Sequence, residues 1–152
     1  WGKGYALCKQ EFEDFFREAA KRYPGKASIN LAYNRTLSKL IYAGADIFLM
    51  PSKSEPCGLS QMVALRYGTI PIVRETGGLK DTITDSGDNE GNGFTFKSYN
   101  AHDMLETVWR ALQGYSDKAG FAVLKKRAML CDNSWGKSAN EYIKLYKQIL
   151  GK

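Results

Sequence analysis

The sequence predicts an α/β fold, a doubly wound, Rossmann-like parallel sheet with helices on both faces. Three observations lead there. Stretches with apolar residues at helical spacing alternate with short, wholly apolar runs. One such run, I-F-L-M at 47–50, lacks the polar alternation of a half-exposed strand, so it suits a strand covered on both faces. The connections are short and rich in Gly and Pro.

Taken in order, Phe12, Phe15, Phe16, Ala19 and Tyr23 recur at helical spacing until Pro24-Gly25 stops them, which predicts an amphipathic helix. Residues 27–33 read as a short strand, and Leu37, Leu40 and Ile41 as a short helix ending at Gly44. The 47–50 strand follows, ended by Pro51. Leu59, Met62, Val63 and Tyr67 form the stripe of a further helix, closed by Gly68 as a left-handed cap. Residues 70–73 read as a strand, and Pro71, which lacks a ladder donor, predicts that it is short or near an edge. The run T-D-S-G-D-N-E-G-N-G at 84–93 predicts an exposed loop before a brief strand at 94–96. The remainder is helical, with stripes at Met104, Leu105, Val108, Trp109 and Leu112 and at Tyr142, Leu145, Tyr146 and Ile149.

The 152 residues, 43% of them hydrophobic, suffice for one domain with its own core. Cys8, Cys57 and Cys131 are odd in number and far apart, and there is one histidine, which argues against structural zinc and for a reducing cytoplasm. No apolar run reaches the roughly 18 residues of a membrane span, and no basic leader precedes an apolar one, so neither membrane nor secretion is expected. The net charge of +6 is spread along the chain and mixed with acids, which excludes a nucleic-acid stripe and leaves a general affinity for phosphate-bearing ligands.

In a doubly wound sheet, ligands sit at the carboxyl ends of the strands. Three strand-to-helix loops are conspicuous there: the turn after Tyr33, the segment Pro51 to Ser60, and Thr76 to Leu79. In P-S-K-S-E-P-C-G-L-S-Q, Gly58 opens a helix whose first turn contains Ser60, and free backbone N–H groups make an anion site. Glu55 cannot favour a phosphate, so it reads either as a helix-dipole partner or as a ligand for a neutral polyol such as a sugar. The turn T-G-G-L-K-D repeats the device one strand later, so two helix N-termini could hold one diphosphate. Arg74 and Lys80 beside it read as solvated charges.

The run A-D-I-F-L-M-P-S-K-S-E-P-C-G-L-S-Q, followed by L-R-Y-G-T-I-P-I-V-R-E-T-G-G-L-K-D-T, closely resembles the glycogen and starch synthases, retaining glycosyltransferases of the two-domain GT-B fold. The resemblance extends upstream through the first helix and downstream to Ser134-Trp135. It implies that Glu55 positions the glucose, that Cys57, Gly58, Leu59 and Ser60 surround the sugar and distal phosphate, and that Tyr33 stacks on the base. Thr76, Gly77 and Gly78 match the second phosphate-side loop. It implies no metal and no cofactor, because helix dipoles and basic side chains offset the leaving diphosphate. Val63 stands where many members of the wider superfamily carry a second carboxylate, which favours the glycogen-synthase branch.

The implied reaction moves glucose from ADP-glucose to the non-reducing end of an α-1,4-glucan. UDP-using and ADP-using branches share these loops, and the bacterial spelling of the motif favours ADP-glucose over UDP-glucose. By the same resemblance, 1–152 is a single truncated C-terminal GT-B domain. Its W-G-K-G start matches the end of the second strand, with Gly2 and Gly4 near the nucleotide. The first strand, its S-R-L-x-x-x-K-G loop and the N-terminal acceptor domain are then absent, and the fragment alone is expected to be inactive. The alternative is a non-enzymatic nucleotide- or glucan-binding module with Trp1, Trp109 and Trp135 as a sugar platform, weakened because Trp109 falls on a core-facing stripe.

Overall fold

The computed structural model of the chain describes residues 3–88 and 90–151. It divides into two units, Trp1–Ser38 and Lys39–Lys152.

The first unit is built on α1, Lys3–Arg22. Its polar face carries ion pairs one turn apart, Lys9–Glu13 and Arg17–Glu13, both at 3.6 Å. Phe15 and Phe16 meet edge to face, with ring centroids 5.6 Å apart. Gly25 takes φ +73° and turns the chain after the helix. The W-G-K-G match to a strand is corrected at Gly4, which is helical, while Trp1 and Gly2 lie outside the described residues. The expected strand at 27–33 is also absent. The alternation of Ile29 and Leu31 finds no partner strand, and the Asn30 side chain accepts from Ala32 N–H at 3.0 Å, bending the segment into a local turn. Asn34 then caps α2, Arg35–Gly44, by accepting from Leu37 N–H at 2.9 Å.

The second unit holds a parallel sheet in the order β1 (Ile47–Met50), β2 (Ile70–Arg74), β3 (Phe94–Phe96). Ile47 pairs with Ile70, and Ile72 with Phe94. The α/β class is the one predicted. Between β1 and β2 runs α3, Ser60–Tyr67, which ends at Gly68 with φ +74°, the left-handed cap read from the sequence. After β2 come α4 (Gly77–Thr82) and a short 3-10 turn at Ser86–Asp88, and after β3 come α5 (Ala101–Ser116), α6 (Lys118–Leu130) and α7 (Trp135–Ile149).

Pro71 is not near an edge, because β2 is the central strand. Ile70 N–H donates to Asp46 O at 2.9 Å, so by alternation the nitrogen of Pro71 turns toward β3, where pairing begins only at Ile72. The missing donor therefore falls beyond the end of that ladder. The outer positions go instead to β1 and β3, and β1 is not covered on both faces: Leu49 is 42% exposed.

Leu65, Ile70, Ile72, Val73 and Leu79 form the centre of the core, joined by Phe94 and Phe96. The sequence reading did not delimit α6, yet it contributes Phe121, Leu124 and Ala128 at helical spacing, with Asp117 capping its start through Gly120 N–H at 3.1 Å. On α5 the buried residues are Thr107 and Ala111, with Met104, Val108 and Tyr115 packed beside them. Trp109 is not core but 60% exposed, and Leu105 and Leu112 are exposed with it. The apolar arc of α5 is wider than the arc the core covers, and the sheet takes the side with the smaller residues. The α7 stripe of Tyr142, Leu145, Tyr146 and Ile149 is likewise exposed.

The 84–93 loop is not simply exposed, since Gly91 and Gly93 are buried. The Asp85 carboxylate holds it, accepting from Arg110 Nη1 and Nη2 at 2.9 and 3.0 Å and from Thr95 N–H at 2.7 Å. Burial raises the pKa of Asp85, but the guanidinium and the Thr95 and Gly87 N–H groups outweigh it and hold the carboxyl below its ordinary value. A depressed folded pKa stabilises above the unfolded value, about 3.9 for Asp, and that contribution is lost as pH falls through the folded one. Asp85→Asn is therefore expected to lower the melting midpoint at neutral pH. Its gap from the parent should close as pH falls below about 4, and a gap that widens in acid would contradict this assignment.

Candidate functional site

The sheet delivers two turns to the carboxyl ends of neighbouring strands. After β1 the chain passes Pro51 and reaches Glu55, which is half-buried and whose carboxylate makes no hydrogen bond or ion pair among the described residues. Gly58 has φ +72°, which excludes most other residues, and a Cβ there would lie 2.6 Å from Gln61 Oε1. Leu59 is the N-cap of α3, and no side chain caps the first turn. The Ser60 hydroxyl in that turn has no partner among the described residues. Cys57 is a free, exposed thiol whose sulfur lies 3.5 Å from Gly58 O.

After β2, Thr76 opens α4 with no side-chain cap. Gly77 and Gly78 lie directly against the first turn. A Cβ on Gly77 would be 1.9 Å from Glu55 O, and one on Gly78 would be 2.2 Å from Cys57 O. Gly78 N–H donates to Pro56 O at 3.1 Å. The two turns thus share main-chain contact that only glycine permits. Arg74 is no solvated charge. Its Nε donates to Ser52 O at 2.9 Å, its Nη2 to Lys53 O and its Nη1 to Lys97 O at 3.5 Å, tying the segments after β1 and β3 together. Its guanidinium and Lys53 Nζ lie 5.6 and 5.9 Å from the Tyr99 ring centre. A groove of about 720 Å³ opens beside Leu59, lined by Met62, Val63, Arg66, Met129 and Leu130.

Residues 4–129 match the sequence signature of the glycosyl transferases group 1. The chain belongs to that family.

Among members of known name, the glycogen synthase of Desulforamulus reducens (strain ATCC BAA-1160 / DSM 100696 / MI-1) is 53% identical over 144 residues, 93% of this chain and 30% of its own length. The glycogen synthase of Geobacillus stearothermophilus is 54% identical over 143 residues, with the same shares. The chain therefore spans about a third of the length of the relatives it matches. Among solved structures, the catalytic domain of starch synthase IV from Arabidopsis thaliana, bound to ADP and acarbose, superposes with a TM-score of 0.77 at 34% identity. The match covers 94% of this chain and 31% of that one. The sucrose-phosphate synthase of Thermosynechococcus elongatus, at 22% identity and a TM-score of 0.67, shares the fold.

Glu55, Cys57, Gly58, Leu59, Ser60, Thr76, Gly77 and Gly78 come together in the second unit. Tyr33 belongs to the first, in the irregular stretch before α2, and is 90% exposed. Sequence reasoning missed Gln61 and Arg74. Gln61 sits at a position polar enough to pass for the solvent face of α3, yet it is fully buried. The signal available was an amide three residues after a positive-φ glycine, within reach of that turn's carbonyls. No helix among the described residues is long and apolar enough to cross a membrane.

Proposed function

We propose that the chain forms the donor side of a glucan synthase, in which glucose passes from ADP-glucose to the non-reducing end of an α-1,4-glucan with retention of configuration. The observation that carries this reading is the joined pair of glycine turns with the unpartnered Glu55 carboxylate beside them. Such a surface suits a ligand that is a diphosphate at one end and a polyol at the other.

In this reading Glu55 accepts hydrogen bonds from glucose hydroxyls and so orients the anomeric carbon. Cys57 to Ser60 hold the sugar and distal phosphate, Thr76 to Gly78 the second phosphate side, and Tyr33 stacks on the base. As the bond from the anomeric carbon to the phosphate oxygen breaks, charge develops on the diphosphate. In this reading the N–H groups of the first turn of α3, which no side chain caps, stabilise it. The acceptor hydroxyl oxygen bonds to the anomeric carbon on the same face, and its proton passes to the departing diphosphate. Starch synthase IV binds ADP, which favours adenine over uracil and ADP-glucose over UDP-glucose. The glucan acceptor contacts parts of the enzyme beyond these residues, so 1–152 acts as one GT-B domain, in the cytoplasm.

The test uses the chain alone and a chimera in which it replaces the matching 143 residues of the Geobacillus stearothermophilus glycogen synthase. The chimera is expected to transfer glucose from ADP-glucose to glycogen. The chain alone should bind ADP at about 1 mM or weaker and transfer nothing. A folded chimera without turnover would sink the reading, and calorimetry showing the chain to bind a maltooligosaccharide but not ADP would move it to a glucan-binding module.

A further inference from the structure

We propose that Gln61 is a positioning residue whose buried amide holds the two glycine turns in one geometry; this rests on the donor-side reading above. Gln61 lies in the first turn of α3 and is fully buried. The two hydrogens of its Nε2 are shared among three acceptors, Gly58 O at 2.9 Å, Thr82 Oγ1 at 3.1 Å and Cys57 O at 3.2 Å. The Thr82 hydroxyl in turn donates to Gly78 O at 2.6 Å. A continuous relay therefore runs from the carbonyls of the first turn, through one amide and one hydroxyl, to a carbonyl of the second. The direct bond from Gly78 N–H to Pro56 O closes the same connection on the other side.

The opposite end of the amide sets this arrangement apart from ordinary packing. Gln61 Oε1 is buried without a hydrogen-bond partner among the described residues. A buried acceptor left unmade is destabilising, and an apolar side chain of similar volume would avoid that cost. The same oxygen occupies the space under Gly58 that a Cβ would need. The amide thus leaves one buried acceptor unmade while its donors hold two site carbonyls directly, Gly58 O and Cys57 O, and a third, Gly78 O, through Thr82. That combination marks geometry, not folding, as its role.

The closing experiment compares variants of the chimera. Gln61→Met keeps the volume and removes the donors, and Gln61→Glu keeps the shape but points an anionic oxygen at two carbonyls. Both are expected to lower kcat by about 10- to 100-fold, the scale of a slight misplacement of reacting groups, with KM for ADP-glucose changed by less than about threefold. Gln61→Met trades the unmade acceptor for three lost donor contacts, so its melting midpoint should stay within about 4 °C of the parent's. Thr82→Val should lower kcat by breaking the relay, and Thr82→Ser should recover most of that loss. Gln61→Met at parental kcat, or a loss that tracks a fall in melting midpoint and is not reproduced by Thr82→Val, would overturn the proposal. An inactive unsubstituted chimera would instead refute the donor-side reading. The amide resonances of the 152-residue chain then decide: Gln61→Met must move Gly58 and Gly78 together, and movement of Gly58 alone counts against the relay.

Discussion

Gly78→Ala is expected to lower the melting midpoint of the chain by roughly 4–8 °C and to abolish nucleotide binding. The sign is opposite to the usual one. Gly78 lies inside α4 without a left-handed φ, so helix propensity alone predicts a gain of about 1 kcal/mol from alanine. Against that stands a Cβ 2.2 Å from Cys57 O and 2.6 Å from Cys57 Cα, both main-chain atoms that no rotamer change can move. Overpacking of this kind costs about 3 kcal/mol or more, so the collision wins by about 2 or more. Because the backbone must separate to admit the methyl group, Gly78 N–H also leaves Pro56 O and the turns part. Thermal melting by circular dichroism with an ADP titration checks both effects, and a midpoint at or above the parent's would show that the turns are not joined as described.

Glu55→Ala in the chimera is expected to lower turnover by about 100- to 1000-fold, in line with the loss of one preorganised polar contact at a reacting centre. ADP affinity should change by less than about threefold. The carboxylate has no partner among the described residues to lose, so the fold should tolerate the substitution. A carboxylate beside a diphosphate repels it, so any change in ADP binding should be a tightening. Steady-state kinetics together with an ADP titration separate the outcomes. Equal losses of turnover and ADP affinity would assign Glu55 to the phosphate end or to the fold.

The second unit was legible where local signals agreed with the tertiary structure. The strand at 47–50, the Gly68 cap and the two glycine turns were each read from residue type and spacing and lie at the expected residues, although the strand is an outer one and not covered on both faces. What failed depended on partners that a sequence does not name. The 27–33 segment has strand alternation but no ladder to join, and Asn30 bends it locally. Pro71 is compatible with a central strand only because β3 starts one residue later. On α5 two apolar faces compete, and the sheet chose Thr107 and Ala111 over Trp109. At the site, the residue types were readable but the joining was not. The approach of Gly77 and Gly78 to Glu55 and Cys57, and the amide of Gln61 beneath them, follow from the strand register.

The Gln61–Thr82 bond also bears on the order in which the molecule assembles. Its partners are 21 residues apart, whereas the Lys125–Asp46 pair that ties α6 to the start of β1 spans 79. Loop-closure entropy grows by about 0.6 kcal/mol for each doubling of length, so the shorter closure is favoured by about 1 kcal/mol before any packing is counted. Chains dominated by such local contacts cross their folding barrier faster. Every part of the two turns lies within the stretch from β1 to α4. Closure entropy alone therefore favours joining the two glycine turns, within the stretch from β1 to α4, before α6 docks beside β1.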